Sequence, residues 1–247
     1  MALGQSINTE GGYEKWRIAG GFFRANYVYD NRYLLEVNGR LDGSSKFPSD
    51  QQFAFFPSVS GGWRISEEPF WKENNVLNDL KFRASYGSLG NGNIAAYSFM
   101  ELFSIERSGR ILDGIRPQKT SRPGVIPSGL TWETLTTMNF GLDWGMLSNR
   151  LRFSADFYIS KTKDMFTVGM NLPDVFGASV PKGNFADMTT KGYELSVTWR
   201  DRFTLADKPF NYEIRATLSD NQSTIDKYNN PEKRLGSGYY YEGMKLG

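Results

Sequence analysis

An all-β fold is predicted: an antiparallel transmembrane β-barrel segment of about eight strands. Three features predict it. Side chains alternate polar and apolar with a period of two, links between strands alternate short and long, and Trp and Tyr gather beside the short links.

The composition fits such a wall and removes other classes. Basic and acidic residues nearly balance, 29 against 27, so no nucleic-acid partner is indicated. Cys and His are both absent, which excludes disulfide frameworks, Cys/His zinc sites and His-based triads. No run approaches the ~18 apolar residues of a membrane helix. The mean hydropathy of -0.49 is still compatible with a membrane span, because a barrel strand turns only every second side chain to lipid.

The strands follow in order. Residues 17–29, 33–42, 57–65 and 80–87 are read as the first four, the last with Leu80, Phe82, Ala84 and Tyr86 opposite Lys81, Arg83 and Ser85. Downstream, Met138, Phe140, Leu142 and Trp144 alternate with Thr137, Asn139, Gly141 and Asp143. From Leu151 to Ser160 the odd positions Leu151, Phe153, Ala155, Phe157 and Ile159 are apolar and the even ones polar. Tyr193, Leu195, Val197 and Trp199 repeat the scheme within residues 191–200, and Tyr212, Ile214, Ala216 and Leu218 continue it. Each run approaches the ~9–11 residues that cross a bilayer obliquely. No helix of core length is expected; residues 67–78 have room for one helical turn with Pro69 near its start.

Short links are expected at residues 30–32 and 147–149, and medium ones at 66–79 and 201–210. Long links are expected at 43–56, 91–133 and 163–190, with another beginning at Asp220. Outer-membrane barrels have this parity, with short periplasmic turns and long external loops. Tyr29, Tyr33, Trp63, Trp144, Trp199 and Tyr212 flank the short links on the apolar parity, as in a periplasmic aromatic girdle. A sandwich core plugged at one end by aromatics is the alternative.

No catalytic, cofactor-binding or metal residue is assigned. The loop carboxylates Asp42, Asp50 and Glu133 are read as solvated, since nothing His- or Cys-based completes a mechanism. Gly87, Gly90 and Gly92 are read as a strand entering an external loop, because no Lys-Ser/Thr follows them. Tyr97, Phe99, Phe103, Trp132 and Tyr239–Tyr240–Tyr241 could stack on sugar rings, but packing against other loops or a lid is favoured. Glu36, Asn38, Arg40, Arg152, Asp156, Glu194, Arg200, Glu213 and Arg215 form the polar set expected to face the lumen.

From Asp42 to Phe47 (DGSSKF) and from Phe55 to Phe70 (FFPSVSGGWRISEEPF), the sequence resembles SusC/RagA-type TonB-linked outer-membrane proteins of Bacteroidetes. The resemblance continues in order through Leu80 to Asn91 (LKFRASYGSLGN), Leu130 to Glu133 (LTWE), Asn139 to Asp143 (NFGLD) and Lys191 to Leu195 (KGYEL). It implies a barrel of about 22 strands closed by a plug. It also implies a capping SusD-like surface lipoprotein, energy relayed by the TonB complex, and import of oligosaccharide or peptide fragments across the outer membrane of a Gram-negative, Bacteroidetes-like cell. Residues 16–226 are expected to be the partial barrel, 1–15 a boundary segment and 227–247 a truncated loop-like end, all within a fragment without plug, TonB box or signal peptide. Alternatives are a soluble β-sandwich carbohydrate-binding module and a small complete outer-membrane barrel.

Overall fold

The computed structural model describes residues 11–72, 76–121, 123–127, 129–169, 175, 180–228, 230, 233 and 240–246. Its strands are β1 (Ile18–Tyr29), β2 (Tyr33–Ser44), β3 (Phe53–Arg64), β4 (Leu77–Asn91), β5 (Ile105–Arg107), β6 (Gln118–Thr120), β7 (Glu133–Met146), β8 (Leu151–Val168), β9 (Lys182–Leu205), β10 (Lys208–Lys227) and β11 (Lys245–Leu246). Eight long strands form one antiparallel meander in the order β1-β2-β3-β4-β7-β8-β9-β10, to which β11 adds a short ninth member. β5 and β6 make a separate hairpin.

Register turns the alternation into two faces. Phe82, Leu142, Ala155, Leu195 and Leu218 are cross-strand partners in one row. The adjacent row contains Arg83, Gly141, Asp156, Glu194 and Ser219. A slip of one residue in any strand would exchange the faces, so the pattern itself fixes the register. On the apolar face aromatic rings meet across strands: Trp144 lies 5.0 Å from Phe153, and Phe82–Phe140 and Phe157–Tyr193 are each 6.5 Å apart. Such pairs stabilise a sheet by roughly 0.2–1 kcal/mol each. The face is otherwise uncovered, with Phe140, Phe157, Ile214 and Leu218 all exposed. A water-facing sheet does not present apolar side chains over so many strands.

The turns at one end are tight. Asp30 and Asn31 have φ of 47° and 54°, and Ala206 and Asp207 have 49° and 60°. These left-handed pairs match the twist of a two-residue hairpin. The β9–β10 link is therefore two residues, not the 201–210 expected; Phe203 and Phe210 pack at 5.1 Å and carry the hairpin past Tyr212.

Other boundaries also shift. β3 starts at Phe53 instead of residue 57, because Pro57 pairs with Gly39 before the β4 ladder begins at Ser58 and no second neighbour needs its missing N–H. β8 and β9 run further than expected and shorten the 163–190 link to 169–181; the register shifts between Thr162 and Met165 absorb the irregularity. β10 continues to Lys227 through the point where a loop was expected at Asp220. The helical turn is a 3-10 turn at Ile65–Glu67 that closes before Pro69, since Glu68 is extended (φ -77°, ψ 146°) as a residue preceding proline prefers. Among the described residues, no helix is long and apolar enough to cross a membrane.

Candidate functional site

The polar face of the sheet is a groove-bearing wall. One concavity, about 930 Å³, is lined by Phe22, Arg24, Asn38, Ser58, Ser85 and Thr137, among others. The side chains there are mostly bonded to each other. Arg24 donates to Asn38 at 2.7 Å, Asn38 donates to Glu36 at 2.9 Å and to Ser58 at 3.2 Å, and Arg40 pairs with Asp42 at 2.6 Å. Further along, Thr137–Ser160 and Thr190–Ser223 are hydroxyl pairs at 2.8 Å, and Arg200 pairs with Glu213 at 2.6 Å. The register places the whole expected lumen-facing set on this polar parity.

The strongest polar cluster centres on Arg83, which the expected set omits. Its Nε and Nη2 donate to Asp143 at 2.7 and 3.0 Å, and its Nη1 and Nη2 donate to Asp156 at 3.0 and 2.9 Å. Ser154 donates to Asp143 at 2.7 Å, and Asn139 donates to Asp156 at 3.2 Å. Arg83 is on β4 and Asp156 on β8, so the guanidinium must pass over β7. Gly141, the intervening partner of both, makes this possible: a Cβ there would lie 2.6 Å from Arg83 Cζ and 2.7 Å from Asp156 Oδ1. Two forked carboxylate pairs across three strands fix the local geometry of the wall.

At the tight-turn end the six aromatics expected as a girdle occupy one rim. Tyr33 and Trp63 are direct cross-strand partners, and Trp199 Nε1 donates to the Tyr212 hydroxyl at 3.1 Å. Behind the first pair lies Glu68, 8% exposed, which the sequence shows only as part of the FFPSVSGGWRISEEPF block. Its carboxylate accepts from Tyr33 Oη at 2.5 Å, Trp63 Nε1 at 2.8 Å and Arg32 Nη1 at 3.2 Å. Hydrogen bonds from Tyr33 and then Trp63 hold the Glu68 carboxyl below the usual carboxylate range, against the opposing effect of burial. This clasp ties the β1–β2 and β3–β4 connections together beneath the rings.

A depressed folded-state value means that the clasp contributes its full stability above the unfolded carboxyl's titration, near ~4.3. The contribution fades as pH falls through the lower folded value. Glu68→Gln is therefore expected to lower the heat-modifiability midpoint of the membrane-embedded protein at pH 7, with the gap from the parent narrowing below about pH 4. A gap independent of pH would remove the carboxylate from this role.

At the long-loop end a small buried cluster closes the rim. Phe47 and Leu130 are 0% and 1% exposed, and Trp132 stacks on Phe47 at 4.7 Å and meets Phe56 edge-on at 5.8 Å. Trp132 Nε1 donates to the Gln51 and Gln52 carbonyls, while Asn184 bonds both the N–H and the C=O of Thr131. The β2–β3 and β4–β7 connections and the start of β9 are thus fastened at one point.

The other residues expected in loops do not converge, and two of them, Asp42 and Glu133, lie in β2 and β7 instead. Asp42 pairs with Arg40, and Glu133 accepts from Asn91 and from the Phe166 N–H. Tyr97 bonds the Lys15 backbone, Phe99 packs on the rim cluster, Tyr240 packs on Tyr228 and Tyr241 lies under Lys233, whereas Phe103 is exposed. Tyr239 lies outside the described residues. Gly87 and Gly90 belong to β4, where Ser58 and Phe56 occupy the space of their absent side chains, which is the strand reading and not a phosphate cradle. Among the described residues, no group of three His, Cys, Asp or Glu side chains is placed to hold a metal.

An antiparallel meander with one face apolar, the other a salt-bridged polar wall, and an aromatic rim at its short turns defines a segment of membrane β-barrel wall. The family model described as TonB dependent receptor-like, beta-barrel, matches residues 4–246, and the chain belongs to that family. It is 34% identical over 224 residues to the TonB-dependent receptor SusC of Bacteroides thetaiotaomicron, covering 90% of this chain and 22% of that protein. It is 32% identical over 213 residues to the TonB-dependent receptor P26 of Formosa agariphila, covering 86% of this chain and 21% of that one. A solved structure of the RagAB peptide transporter superposes with a TM-score of 0.76 at 29% identity, over 87% of this chain and 23% of the other. The chain thus spans about a fifth of the length of these relatives.

Proposed function

We propose that this chain is part of the wall of an outer-membrane TonB-dependent transporter, about eight of some 22 strands, that imports oligomeric nutrients through a plugged barrel. The observation that carries the reading is the two-faced sheet: an uncovered apolar face bounded by an aromatic rim, backed by a wall of paired charges and hydroxyls. The family match and the likeness to a peptide transporter support it. On this reading residues 16–226 are the barrel unit, the host membrane is the outer membrane of a Gram-negative, Bacteroidetes-like cell, a SusD-like lipoprotein caps the external mouth and the TonB complex supplies energy. The chain catalyses no reaction. Its polar face holds both charge signs in close pairs, which suits neutral or zwitterionic glycan or peptide fragments.

Uptake of labelled oligosaccharide and oligopeptide pools by cells carrying the full-length gene tests this. Deletion of the gene should reduce uptake of one pool to background, and collapse of the proton-motive force should do the same. Unchanged uptake of both pools after deletion would contradict the proposal.

A further inference from the structure

The apolar face stops at a pair of lysines on the long-loop side of β8 and β9. Along β8 it runs Leu151, Phe153, Ala155, Phe157 and Ile159 and then reaches Lys161. Along β9 it runs Trp199, Val197, Leu195 and Tyr193 and then reaches Lys191. Leu151 and Trp199 are partners in one row at the aromatic rim. With that row counted as the first, Lys191 is the ninth residue along β9 and Lys161 the eleventh along β8. A strand crosses the hydrocarbon in ~9–11 residues, so both ammonium groups stand at the headgroup level of the opposite leaflet.

The two lysines share one site. Lys191 is the cross-strand partner of Ile159 and Gln222, and Thr189 that of Lys161 and Thr224, which makes the lysines diagonal neighbours. They line a concavity of about 450 Å³ together with Thr189, Gln222, Thr224 and Asp226. Most other polar groups around it are taken. Thr189 Oγ1 donates to the Asp226 carboxylate, and Gln222 Nε2 donates to the Leu246 carbonyl at 3.1 Å. The flanking carboxylates Asp187 and Asp220 accept the Asp164 and Asn221 N–H groups, each at 2.9 Å. Among the described residues, Lys161 and Lys191 have no hydrogen-bond or ion-pair partner. The cation at the tight-turn rim differs, because Arg150 lies over the Trp199 ring at 5.3 Å and pairs with Asp201.

We propose that Lys161 and Lys191 clamp the phosphate of a lipid in the external leaflet, with the Thr224 hydroxyl as a third donor and the acyl chains lying against Ile159, Phe157 and Leu218. The proposal rests on the barrel-wall reading. An unpaired ammonium at the edge of the hydrocarbon is best satisfied by an anion held at the same depth, as a lipid phosphate is. Ile159, Phe157 and Leu218 are exposed directly below the lysines, a surface that acyl chains cover and a free phosphate ion would not. A second copy of this face fits less well, because it would add cations and bring only carboxylates that are already bonded.

The test uses the full-length transporter in phosphatidylcholine nanodiscs doped with lipid A, a phosphorylated glycolipid. Native mass spectrometry reads how strongly lipid A is retained relative to the host lipid. Lys161→Gln and Lys191→Gln should each lower the relative association constant about fivefold, and together about thirtyfold. Arg152→Gln with Arg215→Gln removes the same charge from the opposite face of β8 and β10 and should leave the constant unchanged. Heat-modifiability of the lysine variants in undoped phosphatidylcholine should match the parent, since neither ammonium bonds the wall. Equal retention by the parent and the double-lysine variant, or an equal loss in the opposite-face pair, would overturn the proposal. Displacement of lipid A by millimolar inorganic phosphate would also overturn it and leave a site for the free anion. If single-Cys labels along β8 alternate in accessibility with a period of two while lipid A is not preferred, this proposal fails alone; without that alternation the barrel-wall reading fails with it.

Discussion

Replacement of Trp132 with alanine is expected to loosen the long-loop rim by about 3–5 kcal/mol, the range for removing a large buried aromatic. The ring stacks on Phe47 and meets Phe56 edge-on, and its Nε1 holds the Gln51 and Gln52 carbonyls of another loop. Amide exchange in the full-length protein is the suitable readout, because the loss falls on one rim and not on the whole wall. Ser44 and Gln51, whose N–H groups close that loop onto Gln52 and Pro48, should exchange roughly 10²–10⁴ times faster. Trp132→Phe keeps most of the stack and forfeits the indole bonds, so it should cost only about 1 kcal/mol. Equal exchange in parent and Trp132→Ala would show that the cluster does not fasten the loops.

The second large effect is expected at Arg83. Arg83→Leu leaves Asp143 and Asp156 facing each other without their shared cation. Breaking a fully buried ion pair costs about 3–5 kcal/mol. Side-chain exposures of 32%, 33% and 20% for the three residues bring water close, so about 2 kcal/mol is expected after that discount. Urea unfolding of the lipid-embedded barrel reads it. Adding Asp156→Asn to Arg83→Leu should recover part of the loss, since the excess charge is then removed. No loss in the single variant, or no recovery in the double, would contradict the clamp.

The sequence carries the strands and their faces because the signal for each is local. A period of two in Leu151–Phe153–Ala155–Phe157–Ile159 is enough to assign a face, and antiparallel turns then set the register. Strand ends were less legible. Beyond the membrane span the side chains no longer need to alternate, so β8, β9 and β10 lengthen without a period-two signature, held by pairing and by contacts from distant positions such as the Ala186, Ile225 and Tyr228 cluster. Glu68 and Arg83 were missed for a different reason. Each is one charged residue among many, and its importance comes from partners on other strands: Tyr33, 35 positions before Glu68, and Asp156, 73 positions after Arg83. Gly141 reads as an ordinary alternation residue until the guanidinium above it is seen. The β5–β6 arm did have a local signal, the Asp113-Gly114 pair between short β-prone runs, which the length of the surrounding loop obscured.

Site-by-site labelling along β8 tests the wall most directly. The chain has no cysteine, so a single Cys introduced at each position from 151 to 160 reports that position within this segment. With a spin label on each, in the full-length protein reconstituted in lipid, positions 153, 155, 157 and 159 should be accessible to oxygen dissolved in the bilayer. Positions 152, 154, 156 and 158 should instead be accessible to a water-soluble nickel chelate. Alternation with a period of two would establish one face in lipid and the other in a polar lumen. Uniform accessibility to the water-soluble reagent would contradict it and leave a sheet that does not span a membrane.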